Sequence, residues 1–287
     1  MTLSFAIIPV LLAGVLITIT AGSVLIAGHR NEILQFARAA YSRPWVERLR
    51  SRYQREINFL VRRFSPEGAF GLSFTLGLAA LVASTLLFGY ILDDVLDRDN
   101  IARFDAPIVH FLVENRVVWL TIAMKGVTQL GRSEVVELVM AAAGLYLHRR
   151  TGRWRPMLLL LSAAGGAIVL DLVAKVAIAL PRPPAAWMAV SAYGYGFPSG
   201  HTAESSMYIT LAHFIARLEH QWRTKVFTYS AGITLAFLIG FSRVYLGVHW
   251  PTDVIGGWAL AAGWIGILLM TTSAIESSRS RSRNKQG

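Results

Sequence analysis

The chain has 287 residues, of which 54% are hydrophobic and only 16% charged, with a mean hydropathy of +0.48. A soluble domain carries about 25% charged residues, so this composition excludes an ordinary soluble fold and intrinsic disorder alike; the lack of any cysteine removes disulfide frameworks, thiolate nucleophiles, thiolate zinc sites and iron–sulfur clusters. The net charge of +11 fits two opposed readings, a nucleic-acid surface or the cytoplasmic loops of a membrane protein, and these differ in where the charges sit.

Taken in chain order, the first predicted element is an apolar run at 5–27 that carries no charged side chain. It is longer than a signal-peptide core and no basic residue precedes it, which favours a retained span. In the following basic segment, Trp45, Val46, Leu49, Tyr53, Ile57, Leu60, Val61 and Phe64 recur at helical spacing. Arg48, Arg50, Arg52, Arg55, Arg62 and Arg63 fill other positions, and Pro44 suits a helix start. This predicts a basic amphipathic helix, lying on the inner membrane surface or packed on the protein's own cytoplasmic face. A second span is predicted at 70–92. Residues 93–116 are acidic and then amphipathic, with Phe104, Ile108, Phe111 and Leu112 marking a short interfacial helix, and 117–129 suggests another. Further spans are predicted at 128–147, 156–180, 201–215, 226–246 and 252–275, each near the roughly 20 residues a bilayer needs. The shortest are those at 128–147 and 201–215, and the former begins among Arg132, Glu134 and Glu137. No internal repeat of 20–50 residues is present.

The expected fold is therefore all-α, a polytopic membrane helical bundle of about six core transmembrane helices plus one extra N-terminal span. The chain divides into an N-terminal span (1–28), a basic amphipathic cytoplasmic segment (29–69), a membrane domain (70–275) and a disordered basic tail (276–287). Seven spans place the loops alternately on two sides. One side, with 29–71, 148–155, 217–225 and the tail, nets +14; the other nets −3. Positive loops stay inside, so the first side is cytoplasmic and the chain starts outside. A nucleic-acid partner is not expected.

Charged residues in or beside spans are costly and mark function. Lys175 and Arg182, then Ser199, Gly200 and His201, then Ser242 and Arg243, then His249 and Asp253 fall, by span parity, at one membrane face, the outer one. Three cations and a helix start make an anion site: Ser199 and Gly200 present free backbone N–H groups and a positive dipole end, Arg grips phosphate oxygens in a planar fork and Lys adds a point charge. His249 and Asp253, four residues apart, meet on one helical turn. The carboxylate can then hold one imidazole nitrogen and leave the other lone pair for a substrate. His201, with no carboxylate at that spacing, is the candidate general acid.

Lys175-x6-Arg182-Pro183, Pro198-Ser199-Gly200-His201 and Ser242-Arg243-x5-His249-x3-Asp253 together resemble the three-part signature of the type 2 phosphatidic acid phosphatase family, with no signature position departing from it. The resemblance in span layout covers about 70–275. It implies a metal-independent lipid phosphatase without cofactor. His249 would attack phosphorus and form a phosphohistidine, with Asp253 supporting it. His201 would protonate the leaving oxygen, while Lys175, Arg182, Ser199, Gly200 and Arg243 hold the phosphoryl oxygens and Ser242 helps to orient them. The implied partner is a lipid phosphate in the bilayer: a polyprenyl diphosphate, phosphatidic acid, phosphatidylglycerol phosphate or a lipid A phosphate. The implied location is a bacterial-type inner membrane, with the site on the periplasmic face. A lipid phosphotransferase would share every motif, and a non-enzymatic transporter is the competing class, supported by intramembrane Asp171 and Lys175. Residue by residue, blander readings stand beside these: Lys175 can pair with Asp171 as a structural ion pair, and Arg243 can be an interfacial arginine. Glu204 is a candidate to orient His201, and Arg132 and Glu134 to border the site. Trp187, Met188, Tyr193, Tyr195 and Phe197 suit an interface belt or a lipid-chain contact. His29, His110, His148, His213 and His220 fall outside the signature.

Overall fold

The computed structural model describes residues 4–55 and 72–283, and all regular structure among them is helical. The helices are α1 (Ser4–Gly28), α2 (Arg30–Tyr41), α3 (Pro44–Arg52), α4 (Leu72–Asp97), α5 (Asp105–Glu114), α6 (Val118–Gln129), α7 (Ser133–Thr151), α8 (Arg155–Ile178), α9 (Gly200–Leu218), α10 (Trp222–Tyr245) and α11 (Pro251–Arg283). Five stretches, Ile7–Gly28, Phe74–Asp97, Arg155–Ile178, Trp222–Tyr245 and Pro251–Ile275, are long and apolar enough to cross a membrane.

The other two expected spans, α7 and α9, are helices of 19 residues each, roughly 28 Å at 1.5 Å per residue. The sequence of α9 looks weak because most of its surface is buried inside the bundle. α9 packs against α7, α8, α10 and α11 and buries Thr202, Glu204, Ser205 and Ser206, whose hydroxyls, with Oε1 of Glu204, find partners inside the bundle, while Glu204 Oε2 has none. Ser205 Oγ donates to the Thr202 carbonyl at 2.7 Å and Ser133 Oγ to Glu204 at 2.8 Å.

Lipid tails are as apolar as leucine, so membrane helices are held by close packing and interhelical hydrogen bonds. α4 and α11 meet along glycines: a Cβ on Gly77 would lie 2.7 Å from the Gly266 carbonyl oxygen, and one on Gly266 2.6 Å from that of Gly77. α1 docks on α10 through Ser23 Oγ and Ser230 Oγ, 2.5 Å apart, and through Trp222 Nε1, which donates to the Ile26 carbonyl at 3.0 Å. One apolar core, with Met140, Leu160, Met207 and Ile239, lies between α7, α8, α9 and α10. A second joins Ile8, Val109, Leu120, Met124, Tyr245 and Val248. Through it the interfacial helices α5 and α6 roof the bundle end at which α8 and α10 finish and α9 and α11 begin.

Two details differ from the sequence reading. The basic segment contains a helix, α2, ahead of the expected one, which starts at Pro44 as α3; Ile57, Leu60, Val61, Arg62, Arg63 and Phe64 lie outside the described residues. The helix α11 does not stop where its apolar run does, at Ile275. It continues to Arg283, into the segment expected to be disordered.

Candidate active site

At the roofed end, local geometry places each candidate side chain. Gly247, at φ +72°, makes the turn out of α10, so that Val248 and His249 cross the bundle end before Pro251 starts α11. His249 and Asp253 are 2% and 1% exposed. As the four-residue spacing requires, His249 Nδ1 lies 3.0 Å from Asp253 Oδ2, which also accepts the Trp250 backbone N–H at 3.0 Å. Arg182 Nη1 lies 2.8 Å from His249 Nε2. A guanidinium has no acceptor, so Nε2 is the unprotonated nitrogen and Nδ1 donates to Asp253. Burial, reinforced by Arg243, Arg182 and Lys175, holds the His249 pKa well below the ordinary imidazole value, which keeps it neutral.

Arg182 itself is held by the Val248 carbonyl (2.9 Å, from Nη1) and by the carbonyls of Gly194 (3.1 Å) and Tyr193 (3.3 Å, both from Nε). Those residues sit in the 179–199 connection, so the arginine ties that loop to the His249 crossing. Lys175 Nζ lies 2.6 Å from Asp171 Oδ2, one turn back on α8. This pair abuts Gly200: a Cβ there would come within 2.6 Å of Asp171 Oδ2 and 3.1 Å of Lys175 Nζ, so only glycine lets the ammonium reach the start of α9. Arg243 is 6% exposed; its Nη1 donates to Thr128 Oγ1 of α6 at 2.7 Å, and its buried Nε has no protein partner. His201, on the first turn of α9, has Arg243, Lys175, Arg182 and Arg132 as its charged neighbours. Lys175, Arg182, His201, Arg243, His249 and Asp253, from separate stretches of sequence, thus form one cluster, with Ser199 and Gly200 against it.

Three expectations need correction. The Ser199 backbone N–H is not free: the extended backbone at the cap turns it onto the Asp253 carbonyl at 2.9 Å. Its hydroxyl, which accepts from Thr202 Oγ1 at 2.8 Å, keeps its own proton. The Ser242 hydroxyl makes no hydrogen bond to the cluster and instead donates to the Ile239 carbonyl at 2.6 Å within α10. Glu204 is held by Ser133 rather than by His201. Arg132 borders the site as a charged neighbour of His201, and forms an exposed ion pair with Glu134 at 3.3 Å; a Cβ on the adjoining Gly131 would lie 3.4 Å from the His201 Cβ. Residues that sequence reasoning missed are Thr128, which orients Arg243, and Arg116, whose guanidinium bridges the Tyr245 (3.1 Å) and Trp187 (2.6 Å) carbonyls. Asp105 and Thr252, hydrogen-bonded to each other behind Asp253, were also missed. Only Arg116 carried a signal, as an arginine beside the acidic outer segment.

A profile of the PAP2 superfamily matches residues 155–275. Phosphatidylglycerophosphatase B of Bacillus subtilis is 35% identical over 181 residues, 62% of this chain and 87% of that protein. The chain belongs to the PAP2 superfamily. An undecaprenyl-diphosphatase of Sulfolobus acidocaldarius is 31% identical over 170 residues, 58% of this chain and 76% of that one. A crystal structure of a transmembrane PAP2 type phosphatidylglycerolphosphate phosphatase from Bacillus subtilis superposes with a TM-score of 0.60 at 30% identity, over 69% of this chain and 96% of that one. With its apolar helices, the chain is an integral membrane member of the superfamily. Every signature residue lies inside the profile match, whereas Asp105, Arg116 and Thr128 lie before it.

Proposed function

We propose that the chain is a membrane lipid phosphatase that hydrolyses a phosphate monoester or diphosphate head group through a phosphohistidine on His249. The observation that carries this reading is the environment of one atom: His249 Nε2, unprotonated, backed by Asp253 through Nδ1 and ringed by Arg182, Arg243 and Lys175. The Nε2 lone pair attacks phosphorus. The P–O bond to the lipid breaks as His201 gives the leaving oxygen its proton, and water then attacks the phosphohistidine, releasing phosphate and returning the proton to His201. Arg243, with a donor buried and unpartnered, and Lys175, Arg182, the Ser199 hydroxyl and the Gly200 N–H bind the oxygens as they gain charge. In the free site Arg182 donates to the lone pair that must attack. Hydrogen bonds to an anion are stronger than those to a neutral imidazole, so an arriving phosphate draws the guanidinium away and uncovers Nε2 in the same step.

The relatives act, by their names, on phosphatidylglycerol phosphate and undecaprenyl diphosphate, and an interfacial site suits such amphiphiles, whose tails stay in the bilayer. The cationic loops among the described residues lie at the opposite end of the bundle, which supports a site on the outer, periplasmic face of an inner membrane. The test offers purified protein phosphatidylglycerol phosphate, phosphatidic acid, undecaprenyl diphosphate and a lipid A phosphate in detergent with excess EDTA, and reads released phosphate. At least one lipid is expected to be cleaved, and His249→Ala is expected to be inactive on it. No release from any lipid, or activity that EDTA abolishes and magnesium restores, would overturn the reading.

A further inference from the structure

Asp105 opens α5, outside the profile match, and is 7% exposed. Its Oδ1 accepts the Thr252 backbone N–H at 3.1 Å, and its Oδ2 accepts the Thr252 hydroxyl in a still shorter contact. Thr252 is wholly buried and lies in the first turn of α11, immediately before Asp253. The first N–H groups of a helix have no partner in the helix itself. Asp105 supplies one from another element, and its charge meets the positive end of the α11 dipole. The contact also completes a frame. The Asp253 carboxylate takes the His249 and Trp250 N–H groups, its carbonyl takes the Ser199 N–H, and Asp105 fixes the residue before it. Asp105 is itself anchored, since Asp94, at the end of α4, accepts the Ile101 and Ala102 N–H groups at 3.0 and 2.7 Å and so fixes the turn that leads into it. The charged groups that bear on Asp105 are Asp94 and, from α11, Asp253; no cation is paired with it among the described residues.

We infer that Asp105 is a positioning residue for the His249–Asp253 pair: ionised, it clamps the first turn of α11, and on protonation it releases that clamp, so turnover answers to pH through a residue outside the signature. The inference rests on the phosphatase reading of the site. Burial pushes the Asp105 carboxyl up to about 6, against the two Thr252 hydrogen bonds, which lower it, and with Asp94, which raises it further. The carboxylate therefore exists above about pH 6 and is lost below it. The kcat at saturating lipid, which reports groups in the bound complex, accordingly falls as pH drops through that value.

The experiment measures kcat and KM from pH 4.5 to 8 on whichever lipid the wild type cleaves. Asp105→Asn keeps the side-chain shape and abolishes the titration. It is expected to lower kcat about tenfold at pH 7.5, the cost of a hydrogen bond to a charged group, to leave KM unchanged and to erase the step near pH 6. Thr252→Val removes only the hydroxyl donor that favours the carboxylate and is expected to move the step upward by about one pH unit, while Thr252→Ser leaves it in place. A purely structural role would lower the active fraction without moving the step. A step that stays put in both Asp105→Asn and Thr252→Val, or in Thr252→Val alone should Asp105→Asn fail to fold, overturns the inference while the wild type's activity upholds the phosphatase reading. A wild type that releases no phosphate overturns both.

Discussion

Replacing Asp253 by Asn probes the charge behind the nucleophile with little change in shape. Oδ2 accepts two N–H groups, from His249 and Trp250, each at 3.0 Å. An amide nitrogen there would face two donors, so the asparagine must turn its oxygen to that position; the His249 tautomer is then preserved and only the negative charge is lost. That charge matters as positive charge builds on the imidazole during attack on phosphorus. For unit charges roughly 4 Å apart, at the effective dielectric near 20 that suits protein sites, the interaction is about 4 kcal/mol, which is about a thousandfold in rate at 1.36 kcal/mol per decade. Asp253→Asn should therefore lower kcat by about three orders of magnitude in a phosphate-release assay on detergent-solubilised lipid, with KM changed little because the carboxylate faces the histidine. A variant that keeps kcat within tenfold of the wild type would refute the assignment of the His249–Asp253 pair as the reacting unit.

If His201 supplies the leaving-group proton, His201→Gln should slow the burst of product from an alkyl phosphate by about 10² to 10⁴ yet leave the burst from p-nitrophenyl phosphate nearly intact, since nitrophenolate departs unprotonated; equal losses on both substrates would remove His201 from that role. Gly200→Ala drives a methyl to within 2.6 Å of Asp171 Oδ2 and 3.1 Å of Lys175 Nζ, an overpacking worth about 1–3 kcal/mol, so thermal unfolding should come several degrees earlier and KM should rise as the ammonium is displaced. A thermally unchanged variant with wild-type KM would show that Lys175 does not sit against the α9 start.

What the sequence made legible follows from range. Helical periodicity and span length act over one or two turns, so the seven long helices, the interfacial pair α5 and α6 and the His249–Asp253 spacing could all be read from residue order. The charge partition was legible because it is a sum over whole loops, insensitive to where any single arginine points; it gave the expected orientation before any contact was known, and it put Lys175, Arg182 and Arg243 on the side away from most of the cations. The signature motifs supplied convergence that spacing alone does not. The remaining features are contacts between residues far apart in the sequence. Arg243 meets Thr128 across 115 residues and Asp105 meets Thr252 across 147. A threonine at the end of one amphipathic helix and an aspartate at the start of another look like ordinary helix-end chemistry until the fold brings them behind the site.

The same limit explains why the Ser199 N–H was misread. A serine at a helix start normally faces outward with its amide free, and what captured this one was the Asp253 carbonyl, 54 positions downstream. That capture links the two halves of the site through the backbone. Ser199 begins the helix that carries His201, and Asp253 lies on the helix that follows His249, so their hydrogen bond sets the separation between the candidate acid and the candidate nucleophile without any side chain. Changing either side chain leaves that spacing in place. Losses from His201→Gln and Asp253→Asn can therefore be read as losses of chemistry rather than as collapse of the frame.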